Sequence, residues 1–302
     1  MPRLACGTVR RILLLLLLVL TVALGCTALA TPVPALDHGE RGLWVWDNGP
    51  TVDPVAQDQL LVFATNNGIK TLYIQAQTLL YDQPTALAEL IEHAAKSGLR
   101  VELLFGQHTW ARAENHQQCL DIAATARKFV ADLTTARPVG VHYNIEPHAL
   151  PEWGTDPIGI ANQFLDLLGK LRGTYAGSGL PISIDMPNWY DTFSLSRQGV
   201  TRPLNTFVQD IADRTVLMDY RTGVADLVSL AAGEMQYADK IGQPLVIAVE
   251  TSCDVDPALS YCTLGQAVLR ANLDQLVKQE SQFPQFSGVA IHHYAAFSTL
   301  KP

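Results

Sequence analysis

The sequence predicts a (β/α)8 barrel, and three observations carry that prediction. Eight short β-rich runs alternate with segments whose apolar residues recur at helical spacing. At four of the junctions a glycine closes the helical segment, where a left-handed residue suits the end of a helix. The alternation occupies about 270 residues, a length that one large α/β domain fills with a full core.

In chain order, residues 1–26 read first as an export leader. Arg3, Arg10 and Arg11 precede an uncharged run from Ile12 to Leu24, too short to span a bilayer comfortably. "ALGC" resembles the lipobox of bacterial lipoproteins, which implies lipidation of Cys26. Ala28-Leu29-Ala30 offers a second cut that would release a soluble protein. The expectation is a membrane-anchored lipoprotein, periplasmic or on the cell surface, with secretion as the alternative. Residues 27–40 read as a linker and 41–302 as a single barrel domain.

The barrel opens with "GLWVWD", and "NNGIKTLYIQ", "KSGLRVELLF" and "VGVHYNIE" supply strands two to four. "GSGLPISIDM", "RTVLMDY", "KIGQPLVIAVE" and "FSGVAIHHY" supply the remaining four. Between them, segments such as "PTALAELIEHAAKSG" and "IGIANQFLDLLGKLRG" carry the helical pattern. A doubly wound sheet would show a glycine-rich phosphate turn after its first strand, and "WDNGPTVD" is not one. The chain stops soon after the eighth strand, so the last outer helix is expected to be short or missing.

Charge and cysteine usage narrow the partners. Outside the leader, 18 Lys and Arg face 29 Asp and Glu. That balance argues against nucleic acid or anionic lipid as the main partner, leaves the lipid anchor as the membrane contact, and suits a neutral ligand. Export permits disulfides, so Cys253 and Cys262, nine residues apart, are the expected bridge. Cys119, in a helical stretch, reads as a buried thiol. Nothing in the sequence fixes an oligomeric state.

Function in such barrels sits at the carboxyl ends of the strands. Those ends carry Trp46 and Asp47, Gln75 and Gln77, His108 and Trp110, then His142, Asn144 and Glu146, with His148 just beyond. Asp185, Trp189, Asp219, Tyr220, Arg221, Glu250, His292, His293 and Tyr294 follow. All five tryptophans, including Trp44 and Trp153, lie in a strand or the loop after one, which suggests a cleft lined with flat faces for sugar rings. Adjacent histidines on a strand point to opposite faces, so at most one of His292 and His293 looks into the cleft. No His-x-His stands in strand one, and neither metal nor cofactor is expected.

His142, Asn144 and Glu146 share one face of strand four by the period-two rule. That strand resembles the D-x-x-D-x-D-x-E strand of the family 18 chitinase-like hydrolases. Here Val139, His142, Asn144 and Glu146 hold the corresponding positions. The family 85 endo-β-N-acetylglucosaminidases are similar in placing Asn two residues before the acid/base Glu. "LMDYR" resembles the family 18 M-x-Y-D, with Tyr220 at the tyrosine and Arg221 in place of the Asp. This resemblance implies Glu146 as acid/base, the substrate's acetamide as nucleophile, and Asn144 and Tyr220 as its holders. A second resemblance, to the retaining clan with glutamates on strands four and seven, implies Glu250 as nucleophile. In both, Glu146 protonates the leaving oxygen and needs a raised pKa.

A blander role for Glu250 is an ion pair with Arg221, and for His142 a place in the core. The remaining rim residues from Trp46 to Tyr294 are expected to bind carbohydrate. The reading is an exported glycoside hydrolase, with a catalytically degenerate barrel that binds carbohydrate or a surface partner as the alternative.

Overall fold

The computed structural model describes residues 38–302. The leader, Cys26 and most of the linker lie outside the described residues. Eight parallel strands close a barrel: β1 (Arg41–Val45), β2 (Ile69–Gln75), β3 (Arg100–Gly106), β4 (Gly140–Asn144), β5 (Ile182–Pro187), β6 (Arg214–Met218), β7 (Leu245–Glu250) and β8 (Phe286–His292). They stand in chain order, and β1 pairs with both β2 and β8. All eight expected strands are present. A two-stranded antiparallel hairpin, Ser194–Arg197 with Val200–Pro203, is inserted in the connection from β5 to β6. The last helix, Tyr294–Thr299, is short, as expected.

Local chemistry sets the helix limits. The helices Pro54–Asn66 and Pro157–Tyr175 each open on proline, and Asp53 and Asp156 accept the free N–H groups of Val55 and Gly159. Gly98 and Gly242 end their helices at φ 74° and 72°, a region that costs a side-chain-bearing residue. Helix Pro84–Lys96 buries Leu87, Leu90, Ile91 and Ala94, one stripe at helical spacing, against the outside of the barrel. Each fully buried leucine contributes about 1.5–3 kcal/mol of transfer free energy.

The inside of the barrel is a separate core. Trp44, Tyr73, Leu104, Val216, Val246, Ala248 and Ala290 pack there, with Trp46 and Tyr220 above them. Trp44 is therefore barrel filling and does not face the cleft. The same inward face carries buried charge. Arg214 pairs with Glu102 and donates its Nε–H to Ser183 Oγ at 3.1 Å. His142 Nδ1 stands 3.1 Å from Glu102 Oε2, and its Nε2 stands 2.6 Å from Asp185 Oδ1. The Trp44 indole N–H donates to Asp185 Oδ2 at 3.3 Å. His142 is thus a core histidine with a carboxylate at each nitrogen, one link in a chain of Arg214, Glu102, His142 and Asp185.

The disulfide Cys253–Cys262 closes the loop after β7, and Cys119 is a buried free thiol.

Removing one member of the buried chain leaves its neighbour uncompensated, at a cost of roughly 3–5 kcal/mol. Arg214→Met is expected to lose that amount in urea-induced unfolding. A loss under about 1 kcal/mol would mean that Glu102 is neutralised without Arg214.

Candidate active site

The residues above the charged chain face the open end of the barrel. β4 pairs with β3 so that His142 lies beside Leu104 and Asn144 beside Gly106. β4 ends at Asn144, Ile145 turns outward into the helix-facing core, and Glu146 precedes a short turn, Pro147–Ala149. The alternation expected of the strand thus continues to Glu146. Exposure rises along it, from buried His142 to half-buried Asn144 and Glu146.

A cleft of about 300 Å³ lies over this point, lined by Trp46, Gly106, Gln107, His108, Asn144, Glu146 and Ala149. That volume is at the small end of the range for ligand sites, about 300–1,000 Å³. Gly106 leaves room for Trp46, whose ring would come within 3.1 Å of an added Cβ. Arg112 holds Glu152 through two N–H bonds of 3.0 Å, tying the loop after β3 to the loop after β4. These two loops form one wall of the cleft.

The two glutamates of the rim have different surroundings. Glu250 is 2% exposed. Its Oε1 accepts from the backbone N–H groups of Thr251 and Ser252, both at 2.7 Å. Its Oε2 meets His292 Nδ1 at 2.7 Å, because β7 and β8 place Glu250 and His292 side by side. The Trp46 indole N–H, which can only donate, lies 2.9 Å from His292 Nε2. Nε2 is therefore the acceptor and Nδ1 carries the proton given to Glu250. Burial pushes the Glu250 carboxyl up, but the His292 and backbone donors outweigh it and hold the group below its ordinary range.

Glu146 is also held below the ordinary range, first by His148, against an opposing push from burial and with further help from the Asn144 amide. The direction is opposite to the raised value that a resting general acid requires. Asn144 Oδ1 is buried and has no partner among the described residues. The Tyr220 hydroxyl is pushed well up, first by burial and then by the charges of Glu250, Asp185 and Glu146, and its ring lies 6.0 Å from that of His292.

Known proteins give the fold a context. The chain matches no protein-family profile and no curated protein. Among solved structures it is similar to a GH18 chitinase from Pseudoalteromonas aurantia, with TM-score 0.54 and 14% identity over 85% of this chain and 95% of that one. It is similar to the PgaB (BpsB) glycoside hydrolase domain from Bordetella bronchiseptica, with TM-score 0.52 and 14% identity over 86% and 95% of the two chains. The spore cortex-lytic enzyme SleL of Bacillus megaterium aligns with TM-score 0.50 and 13% identity over 85% and 71%. What the likeness shows is the fold, a closed barrel of eight parallel strands.

Within that fold, the residues expected on the rim divide into three groups. Trp46, His108, Asn144 and Glu146 line the cleft. Gln77 reaches Gln107 at 3.5 Å, and Gln75 Oε1 accepts the Gln77 backbone N–H at 2.6 Å, so these amides stand beside the cleft wall. His148, Tyr220, Glu250 and His292 surround the cleft-lining residues without lining it themselves.

The third group does not line the cleft. Trp110 is fully buried and donates to Gln118 Oε1 at 3.3 Å, so it belongs to the helix-facing core. Tyr294 packs edge-on against Phe63 of an outer helix, with centroids 5.4 Å apart. Asp47 accepts the Gly49 N–H at 2.8 Å and caps an exposed turn. Asp185 is buried beneath Glu146. Asp219, pushed up to about 7 by burial, accepts from Asn188 at 2.9 Å. Trp189 packs on Tyr190 and Trp153. Arg221 does not pair with Glu250; its guanidinium donates to the Tyr220 carbonyl at 2.7 Å. Gln107 and Tyr190 are site neighbours that sequence reasoning missed, although each directly adjoins a residue it named.

Because the folded Glu250 carboxyl sits below its unfolded value, its stabilising contribution is present above about pH 4.3 and is lost as pH falls through the folded value. Glu250→Gln is therefore expected to lower the melting temperature at pH 7 and to approach wild type at pH 3. The loss at pH 7 should be roughly 1.5–3 kcal/mol, that of a hydrogen bond to a charge. An equal loss at both pH values would show that the carboxylate charge is not what the cage stabilises.

Proposed function

We propose that the protein is an exported glycoside hydrolase acting on a glycan that contains N-acetylhexosamine, with Glu146 as its acid/base. One observation carries the reading. Asn144 and Glu146 stand together on the wall of a rim cleft, and Asn144 Oδ1 is a buried acceptor without a partner among the described residues. A buried acceptor of that kind calls for a donor from the ligand, and an acetamide N–H supplies one.

In this account Glu146 protonates the glycosidic oxygen as the C–O bond breaks, and the acetamide oxygen bonds to the anomeric carbon. Asn144 Oδ1 accepts the acetamide N–H as positive charge develops on that group. Tyr220, at the top of the barrel-interior core beside His292, is the expected partner of the acetamide oxygen. Water then bonds to the anomeric carbon as its bond to the acetamide oxygen breaks, and Glu146 takes the water's proton. The Trp46 ring offers a flat face for the sugar's C–H groups.

The caging of Glu250 favours this route over double displacement, because a nucleophile needs an accessible oxygen. Here both oxygens are occupied by three donors in a buried position. Glu250 instead orients His292 beneath Trp46. The glycoside hydrolase structures of similar fold support the reaction class at the level of fold alone. Export is supported by the leader pattern and by the disulfide.

The downward pull on Glu146 favours a second reading, a barrel that binds glycan without cleaving it. Turnover separates the two. On an unactivated oligosaccharide, Glu146→Gln is expected to lose roughly 10²–10⁴-fold in kcat while keeping glycan affinity, with a smaller loss on an aryl glycoside whose leaving group needs no proton. Glu250→Ala should not be rescued by azide. Glycan binding by a wild-type protein that cleaves nothing would decide for the second reading.

A further inference from the structure

A general acid must hold a proton before it can give one, and Glu146 is drawn toward the ionised form by the group beside it. That group is His148. Its Nε2 lies 3.3 Å from Glu146 Oε2, and its Nδ1 lies 3.3 Å from the hydroxyl of Tyr190. Tyr190 is 1% exposed, and His148 is the partner of its hydroxyl among the described residues. Trp189, Trp153 and Tyr190 close around the imidazole nearly edge-on, with centroids 5.2, 6.4 and 6.0 Å away. The ring is thereby held with one nitrogen toward Glu146 and the other toward a hydroxyl.

Several other titratable groups face this pair. The turn carrying His148 packs on the turns His108–Ala111 and Pro151–Gly154 and on helix Pro157–Tyr175. Those turns contribute His108, at the cleft mouth, and Glu152, held by Arg112. The first nine residues of the helix, "PIGIANQFL", contribute none. Asp191 follows Tyr190 on its turn, buried Asp185 on the neighbouring strand feels the Glu146 charge, and His292 also bears on Glu146.

We propose that His148 is the proton-sharing, positioning residue of Glu146, held in register by the Tyr190 hydroxyl. This rests on the acid/base role given to Glu146 above. The imidazolium donates Nδ1–H to Tyr190 and Nε2–H to Glu146. The Nε2 proton moves to Glu146 Oε2, leaving a neutral imidazole whose Nδ1–H still donates to Tyr190. Glu146 then gives that proton to the glycosidic oxygen as the C–O bond breaks, and the bonding electron pair stays with the leaving oxygen. In the second half, water bonds to the anomeric carbon as that carbon's bond to the acetamide oxygen breaks and its electron pair returns to the acetamide; the water's proton passes to Glu146, and Glu146 returns it to His148. The Tyr190 hydroxyl accepts throughout, so the ring need not turn.

The test uses the whole chain, labelled with ¹³C at the glutamate carboxyls, with the Glu146 signal identified by its loss in Glu146→Gln. In wild type this carboxyl is expected to titrate below about 4.3, and in His148→Gln its midpoint should rise by at least about half a pH unit. Tyr190→Phe, which keeps the imidazole, should move it the same way by less. The kcat/KM profile on a glycoside with a poor leaving group gives a second readout. Its alkaline limb should move at least about one pH unit lower in His148→Gln, while an activated aryl glycoside loses less than about threefold.

A Glu146 midpoint unchanged in His148→Gln overturns the proposal, whatever the activity. If that variant does not fold, an unchanged midpoint and alkaline limb in Tyr190→Phe overturn it instead. A midpoint that rises in His148→Gln, when the wild-type protein cleaves no glycan, removes the hydrolase reading alone and supports the His148–Glu146 coupling.

Discussion

A charge inside a β-barrel has no bulk water to hold it, so each one must meet a counter-charge or a donor through the strand register. In this protein that constraint organises the barrel axis. Arg214, Glu102, His142 and Asp185 come from four different strands and meet as an alternating series of basic and acidic groups. Ser183 and the Trp44 indole satisfy remaining polar atoms of the series. Asp185, at one end of the series, feels the charge of Glu146. The barrel axis therefore holds a stack of paired groups, and β4, which contributes His142 to that stack, carries Asn144 up to the cleft.

The same requirement separates the two rim glutamates. Glu250 is surrounded by fixed donors and works as an anchor that passes its orientation through His292 to Trp46. Glu146 keeps solvent on one side and a titratable imidazole on the other. A locked carboxylate is suited to holding a neighbour in place. One that is half-exposed beside a proton carrier is suited to exchanging a proton. The distinction arises from surroundings, since the two groups are chemically identical.

Much of this was legible in the sequence because it depends on periodicity. The alternation of strands and helices, the junction glycines and the shared face of His142, Asn144 and Glu146 follow from backbone geometry that neighbouring residues report. The disulfide followed from a short separation in an exported chain. Tertiary partners were not legible. Glu250 was as compatible with Arg221 as with His292, and only the β7–β8 register decides between them. Trp110 and Tyr294 follow strands as Trp46 does, yet both turn toward the helix layer, since residues beyond a strand end are no longer bound by its alternation. Glu102 and Arg214 did carry a signal, as charges within otherwise apolar strands, and the structure shows them to be each other's partner.

The central claim is that the Asn144–Glu146 cleft is built around an acetamide. The most direct measurement compares hydrolysis of an aryl N-acetyl-β-hexosaminide with that of the same glycoside bearing a 2-hydroxyl, in wild type and in Asn144→Ala. The account predicts turnover of the N-acetyl substrate only, reduced by roughly 10²-fold or more in Asn144→Ala, the scale of losing one placed transition-state contact. Equal turnover of both glycosides, unaffected by Asn144→Ala, would contradict it.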